Sequence, residues 1–165
     1  MPIVLQNIVR FIILVLLQVL VLNNIQFLGF VNPYIYIMFI LSLPVRTARW
    51  VSLLLAFGLG LTIDIFSNTP GMHSSATVLI AFLRNGIINL FINIDEGNNP
   101  TPSYHSFSVA TYVKYVIFMV LIHHGALFFL EAFSFVHFWL MLAKISLSST
   151  ITILLILGIQ SLNKK

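Results

Sequence analysis

Charged residues are scarce in this sequence: 7% of its 165 positions are Asp, Glu, Lys or Arg, whereas 59% are hydrophobic. Soluble domains are about a quarter charged, so this chain has too few charged side chains to cover a folded globule in water. The composition excludes a soluble enzyme, a nucleic-acid-binding protein and a disordered tail. The remaining class is a polytopic membrane protein in a lipid bilayer, and the mean hydropathy of +1.05 favours it as well.

Cysteine is absent from the sequence, which excludes a disulfide framework, a thiol nucleophile and a thiolate metal site. Catalytic motifs are absent too. The stretch Gly71-Met72-His73-Ser74-Ser75 is not a Gly-x-Ser-x-Gly nucleophile elbow. The sequence has no phosphate-binding Walker loop, no His-Glu-x-x-His motif and no paired-aspartate metal signature. We therefore expect a protein that is not an enzyme and that binds no cofactor or metal ion.

Long hydrophobic runs predict one compact all-α bundle of about six transmembrane helices, with residues 1–165 forming a single polytopic domain. The predicted spans are 11–22, 26–43, 50–66, 75–92, 113–133 and 139–160. The second is unusual because only ten residues separate Pro33 from Pro44, about 15 Å of helix against a hydrocarbon core of about 30 Å. We expect it to begin near Gln26 and to bend at Pro33. The first span is expected to be retained, since no signal-peptide cleavage pattern follows it.

Basic residues are distributed unevenly between the two sides of the predicted membrane. With the N-terminus in the cytoplasm, the inner segments hold six of the eight basic residues, and the outer segments 23–33, 67–74 and 134–138 hold none. The six inner residues are Arg10, Arg46, Arg49, Lys114, Lys164 and Lys165. This bias predicts that both termini are cytoplasmic. The longest loop, 93–108, is then a cytoplasmic linker or a contact for a cytoplasmic partner.

Three ionisable residues are predicted near the outer face of the membrane, at a depth where an isolated charge is costly. Asp64 and Glu131 fall close to the outer ends of the third and fifth spans, and Lys144 lies slightly below the outer end of the sixth. Because the three share a depth, Lys144 can pair with Glu131 or with Asp64. The first interpretation is a packing device that fixes which helices touch; a ligand or ion site and a partner contact are the alternatives.

Three further polar residues are predicted near the middle of the membrane. Arg84 lies in the fourth span, level with His123 and His124 in the fifth. An arginine at this depth can extend only weakly towards water, so it should face the bundle interior. Adjacent helical positions point about 100° apart, and the two histidines are therefore interpreted as hydrogen-bonded interior groups rather than as a metal site.

The third span carries small residues at four-residue spacing. Ala56, Gly60 and Asp64 lie on one helical face, and small residues at this spacing let helices approach closely in lipid. The pattern predicts a helix-packing surface with a carboxylate at its outer end. Together with the outer turn that contains Pro70, Gly71 and His73, this stripe is a candidate surface for a partner helix.

Three ordered motifs in the first half of the chain resemble the MreD family of rod shape-determining membrane proteins. They are Leu43-Pro44-x-Arg46, then Phe57-Gly58-Leu59-x-x-x-x-Asp64-x-x-Ser67, then Gly71-x-His73. The block covers about a third of the chain, from residue 33 to residue 84, and the remainder is similar in hydropathy and spacing. Positive-inside orientation by itself also accounts for Arg46 and Arg49.

The resemblance implies a fold, partners and a location. The fold would be a six-helix bundle similar to the substrate-binding subunits of energy-coupling-factor vitamin transporters. The function would be that of a non-enzymatic inner-membrane component of the cell-wall elongation machinery, which maintains rod shape. It would bind the scaffold MreC and act indirectly with the filament protein MreB, the glycosyltransferase RodA and a class B penicillin-binding protein in peptidoglycan synthesis.

A second class of function stays open at the level of the sequence. A fold of this type also suits a membrane subunit that binds a small molecule for a transporter, although fold alone does not determine function. The residues that could line a pocket are Asp64, Arg84, His123, Glu131 and Lys144.

Overall fold

The computed structural model describes residues 3–25, 31–92, 98–132 and 138–162, and the long elements in these ranges are all α-helices. The helices are α1 (Ile3–Leu20), α2 (Met38–Leu41), α3 (Arg49–Ser67), α4 (Met72–Phe91), α5 (Tyr104–Phe107), α6 (Val109–Ala132) and α7 (Phe138–Leu162), with 3-10 turns at Leu22–Asn24 and Ile35–Ile37. Gln26, Lys164, Lys165 and parts of the predicted loops 93–108 and 134–138 lie outside the described residues.

Five helices in the described ranges are long and apolar enough to cross a membrane: Leu5–Asn24, Arg49–Ser67, Met72–Phe91, Val109–Ala132 and Phe138–Leu162. The second predicted span is different, because its described part is a 3-10 turn followed by the four residues of α2. Every residue from 34 to 43 is buried. The fold is thus all-helical and consistent with a multi-pass membrane protein, with one short apolar segment inside the bundle.

The short segment runs antiparallel to α1 and is held by polar side chains of that helix. Gln18 donates from Nε2 to the carbonyl of Pro33 at 3.0 Å and accepts from the backbone N–H of Ile35 at 2.9 Å. About two turns earlier on α1, Arg10 donates to the carbonyl of Ser42 at 3.2 Å. The irregular backbone around Pro33 is therefore hydrogen-bonded inside the protein, which is the condition for non-helical chain at membrane depth.

Two groups of contacts define the ends of the bundle. Asn23 donates to the hydroxyl of Ser67 at 3.0 Å, and we call this the outer end, following the predicted orientation. Val45 N–H donates to the carbonyl of Pro100 at 3.0 Å at the opposite, inner end. α1 begins at the inner end, where Arg10 contacts Ser42, and α7 finishes there, because the carbonyl of Leu157 accepts from the hydroxyl of Tyr104 at 3.1 Å. The start of α1 and the end of α7 therefore lie at the same end of the bundle, and its assignment to the cytoplasm stays a prediction.

The predicted stripe on α3 is a packing surface, and it packs against α4 of the same chain. Ala56 and Gly60 are buried, and the hydroxyl of Thr77 donates to the carbonyl of Ala56 at 2.8 Å. A Cβ built on Gly60 would lie 2.6 Å from the backbone nitrogen of Ser74, far inside contact distance. The prediction that this stripe receives a partner helix is therefore wrong, since α4 already covers it.

Apolar side chains also cover the outside of the bundle, as they do in proteins surrounded by lipid. Within their most apolar windows, 17% of residues are buried in the α1 span and 22% in the α7 span, against 44% in α4 and α6. Helices α4 and α6 thus form the centre of the bundle, and α1 and α7 lie at its periphery.

Candidate functional site

Asp64 caps helix α4 from the neighbouring helix. Its Oδ1 accepts from the backbone N–H of His73 at 2.9 Å, and its Oδ2 accepts from the backbone N–H and the hydroxyl of Ser74 at 3.0 and 2.8 Å. The N-cap residue, Gly71, has a φ of +85° and no side chain to cap with. The first N–H groups of a helix have no partner within it, and a carboxylate there is favoured by the helix dipole. Asp64 supplies that partner.

Tyr36 connects two buried histidines at the centre of the outer half. Its hydroxyl lies 2.7 Å from Nδ1 of His73 and 2.9 Å from Nε2 of His123. A tyrosine hydroxyl can donate one hydrogen bond and accept another, so it can serve both rings when each is neutral. The short internal segment, α4 and α6 are joined at this point.

His124 has a separate set of partners. Its Nδ1 donates to the carbonyl of Val120 at 3.0 Å, and its Nε2 lies 3.2 Å from the hydroxyl oxygen of Thr152, whose proton goes to the carbonyl of Ser148 at 2.7 Å. The same hydroxyl oxygen accepts from the N–H of Tyr34 at 3.0 Å. The two histidines thus face different elements, as their 100° separation predicts, and both are fully buried.

Arg84 is buried in the bundle interior, as predicted, but it does not lie level with the histidines. Its guanidinium donates to the carbonyl of Leu43 and, at 3.4 Å, to that of Pro44. Along α4 this is roughly three helical turns, about 16 Å, below His73. Arg84 therefore belongs to the inner end, where it holds the carbonyl groups at the end of the short segment.

The motif residues Pro44 and Arg46 also lie at the inner end. The carbonyl of Pro44 accepts from the hydroxyl of Thr47 at 2.7 Å in addition to Arg84. The backbone N–H of Arg46 donates to the side chain of Asn99 at 2.8 Å, and Arg46 itself is exposed. These contacts fix the connection between the short segment and α3 against the loop at 98–100.

A cavity of about 490 Å³ opens at the outer end of the bundle. Its lining combines apolar side chains with polar ones, and the polar ones are Asn23, Asn24, Asn32, Ser67, Thr69, His73 and Glu131. Tyr34, whose ring packs against His73 with centroids 5.3 Å apart, also lines it. The volume is in the range of small-molecule sites.

Lys144 pairs with Glu131, at 2.6 Å between Nζ and Oε1. This settles the two alternatives left by the sequence, since the carboxylate of Asp64 is bound to α4. The side chains of Lys144 and Glu131 are 24% and 42% exposed, so the pair lies at the rim of the cavity and joins α6 to α7.

Apart from Ala56 and Gly60, the predicted site residues thus divide into two groups. Those in the outer half are Asp64, Gly71, His73, His123, His124, Glu131 and Lys144, and those at the inner end are Pro44, Arg46 and Arg84. The proposed single pocket containing both Arg84 and Glu131 is therefore not formed. Within the described parts of the chain, no group of three or more His, Cys, Asp or Glu is placed to hold a metal ion.

Several residues of the outer half were not singled out by sequence reasoning: Gln18, Asn23, Asn32, Tyr36, Ser74 and Thr152. Gln18 carried a usable signal, because an amide within a long apolar helix must find a partner inside the protein. Tyr36 carried none, since a tyrosine in an apolar run is equally typical of an interfacial anchor.

Comparison with known proteins identifies no relative: no family model, no curated protein and no solved structure matches the chain.

Proposed function

We propose that this protein is a non-enzymatic membrane subunit of the cell-wall elongation machinery, related to MreD, which holds the transmembrane helix of an MreC-type scaffold. MreB, RodA and a class B penicillin-binding protein would be indirect partners in peptidoglycan synthesis. The resemblance of the motifs around Pro44, Asp64 and Gly71 supports the family. In the structure these residues stabilise the fold: Asp64 caps α4, and the carbonyl of Pro44 accepts a hydrogen bond from Arg84.

The observation that carries the proposal is an apolar groove of about 340 Å³ on the outside of the bundle. It lies between α1, the short segment and α3, and its lining residues are Asn7, Ile8, Phe11, Phe39, Val51 and Leu55. In lipid, helices associate through close packing and through polar groups that hydrogen-bond across the interface. A groove with one amide, that of Asn7, among apolar side chains suits a single apolar helix with a polar residue facing Asn7.

The groove replaces the small-residue stripe as the partner surface. The stripe is buried under α4, whereas the α1 span is the least buried of the five, with 17% of its window buried. An apolar helix at the groove would cover a side of α1 that otherwise contacts lipid.

Affinity purification of the tagged protein from its own host in mild detergent, followed by mass spectrometry, tests this function. We expect an MreC-type scaffold together with cell-wall synthases. Leu55→Trp, which fills the groove, should reduce recovery of the scaffold at least severalfold. Leu154→Trp is the matched control, because Leu154 is exposed on α7, which does not line the groove. Equal recovery with both variants would reject the groove, and absence of the scaffold from wild-type purifications would reject the function.

A second candidate is the substrate-binding membrane subunit of a small-molecule transporter. The outer cavity of about 490 Å³ favours it, since adaptor function does not require a cavity with polar walls. The same purification separates the two candidates: paired ATPases and a coupling membrane subunit in place of the scaffold would support the transporter.

A further inference from the structure

The amide nitrogens around the outer cavity all donate to atoms of the protein itself. Nδ2 of Asn23 donates to Ser67 Oγ at 3.0 Å, and Nδ2 of Asn32 donates to Oδ1 of Asn23 at 3.4 Å. Nδ2 of Asn24 donates to two carbonyls at the end of α1, the nearer at 3.0 Å. These three amides are therefore held in place by the wall of the cavity.

The start of α4, which also borders the cavity, is closed to anions. An uncapped helix N-terminus attracts phosphate or carboxylate groups through its free N–H groups. Here the N–H groups of His73 and Ser74 both bind the carboxylate of Asp64. An anionic ligand would meet the charge of Asp64 and of Glu131 and find no free N–H groups at the start of the helix.

Several of the atoms that remain for a ligand are hydrogen-bond acceptors, beside the hydroxyl groups of Ser67 and Tyr34, which can also donate. Thr69 directs its proton to Asp64, at 3.1 Å, and so keeps oxygen lone pairs. Oδ1 of Asn32 is buried without a hydrogen-bond partner among the described residues, which is unusual for a buried polar atom. Glu131 adds a carboxylate that is 42% exposed. A ligand that brings donors would satisfy these acceptors, including the buried Oδ1 of Asn32.

Apolar side chains form the rest of the lining and define the body of such a ligand. Phe66, Met72 and Leu127 line the cavity together with the ring of Tyr34. An aromatic or aliphatic body can pack against these side chains while its polar end reaches the acceptors.

We propose that the outer cavity binds a protonated primary amine that carries an apolar body. The ammonium group donates three hydrogen bonds, and it approaches Glu131 opposite Lys144, with Thr69 and Asn32 as further acceptors. The amine belongs to a free small molecule or to the ethanolamine headgroup of a lipid at the membrane surface. This inference rests on the second candidate function only for the existence of a ligand, and it names the chemistry of that ligand.

Three isosteric probes test the chemistry: tryptamine, the neutral tryptophol and the anionic indole-3-acetate. Each is titrated against the purified full-length protein in detergent, with thermal stabilisation as the readout. A second arm compares nanodiscs of phosphatidylethanolamine with nanodiscs of phosphatidylcholine, whose quaternary ammonium has no N–H donor. We expect tryptamine to stabilise the protein and the other two indoles to have little effect. Stabilisation by phosphatidylethanolamine over phosphatidylcholine, without a response to tryptamine, assigns the amine to the lipid.

Two variants with opposite expected effects separate binding from a loss of fold. Glu131→Gln removes the negative charge and should weaken tryptamine binding about tenfold, as loss of one charge-assisted hydrogen bond does. Lys144→Met removes the competing ammonium at 2.6 Å from Glu131 and should strengthen binding severalfold. A merely structural role for the ion pair would weaken binding in both variants. If only the lipid stabilises the protein, the same two variants are compared in the nanodiscs. Glu131→Gln should then reduce the stabilisation by phosphatidylethanolamine, and Lys144→Met should increase it.

Two results would overturn the proposal. One is binding of indole-3-acetate or tryptophol as tight as that of tryptamine, which would refute the amine while leaving a ligand-binding function in place. The other is no response to tryptamine or to phosphatidylethanolamine. Neither result bears on the scaffold, which the affinity purification decides separately.

Discussion

The carboxylate of Asp64 and the backbone N–H of His73 lie 2.9 Å apart, so a side chain of α3 caps the first turn of α4. The side chain of the same His73 contacts Tyr36, with Nδ1 of His73 lying 2.7 Å from the hydroxyl of Tyr36. One carboxylate therefore positions both the start of a helix and a histidine of the polar core. The spacing of Asp64, Gly71 and His73 in the sequence reflects this corner between two helices.

Loss of the cap should destabilise the protein strongly. Asp64→Ala leaves the N–H groups of His73 and Ser74 without their partner, which we expect to cost about 3 kcal/mol, from the cap and the buried donors together. For a chain of this size that lowers the melting temperature by roughly 6–12 °C. Thermal unfolding in detergent measures the shift, with Thr150→Ala, at an exposed hydroxyl on α7, as the control. A melting temperature equal to that of the control would contradict the capping role.

Two glycines on α3 should respond differently to the same substitution. At Gly60 a methyl group overlaps the backbone of Ser74, whereas at Gly58 it meets nothing within 4 Å. We expect Gly60→Ala to separate α3 from α4 and to lower the melting temperature by several degrees, with a larger loss for Ala56→Leu combined with Gly60→Leu. Gly58→Ala should be neutral or slightly stabilising, because alanine favours the helix by roughly 1 kcal/mol. Equal effects at the two positions would refute the close approach of the helices.

The hydroxyl of Tyr36 should contribute to the stability of the protein, whereas the hydroxyl of Tyr112 should not. Tyr36→Phe removes the partner of both His73 and His123, and each unsatisfied buried group costs about 1–3 kcal/mol. The hydroxyl of Tyr112 is buried without a partner in the described part of the chain, so Tyr112→Phe should leave stability unchanged or raise it. Melting temperatures of the two variants, measured side by side, test this difference. A loss in Tyr112→Phe as large as in Tyr36→Phe would show that the histidine contacts add nothing.

Arg84 should not be replaceable by lysine. The guanidinium reaches the carbonyls of Leu43 and Pro44 at once, whereas a lysine has a single donor nitrogen and a different reach. We expect Arg84→Lys to loosen the end of the short segment and the connection to α3. Limited proteolysis between residues 44 and 48 should become severalfold faster, while Arg49→Lys, at an exposed position, should be cut at the wild-type rate. An unchanged cleavage rate for Arg84→Lys would contradict this.

The all-helical class and the position of four of the long helices could be read from the sequence, whereas α1 begins at Ile3, eight residues before the predicted first span. Four predicted spans overlap α3, α4, α6 and α7 within a few residues, because twenty apolar residues in a row leave little choice but a helix in lipid. The second span could not be read in this way. Its ten residues between two prolines are held by Gln18 and Arg10, and such contacts between distant positions leave no local pattern.

The sequence by itself determined which elements the protein contains: apolar spans, a bias of basic residues towards one side, and a few polar groups that must find partners inside the bundle. Only the tertiary structure decided which of those groups meet. Lys144 pairs with Glu131 while Asp64 caps α4, and Arg84 lies at the inner end, away from His123. Span boundaries give an approximate depth, but the rotation and tilt of each helix follow from side-chain packing across the whole bundle. A shift of one turn changes every partner, and for that reason composition and spacing leave the pairing open.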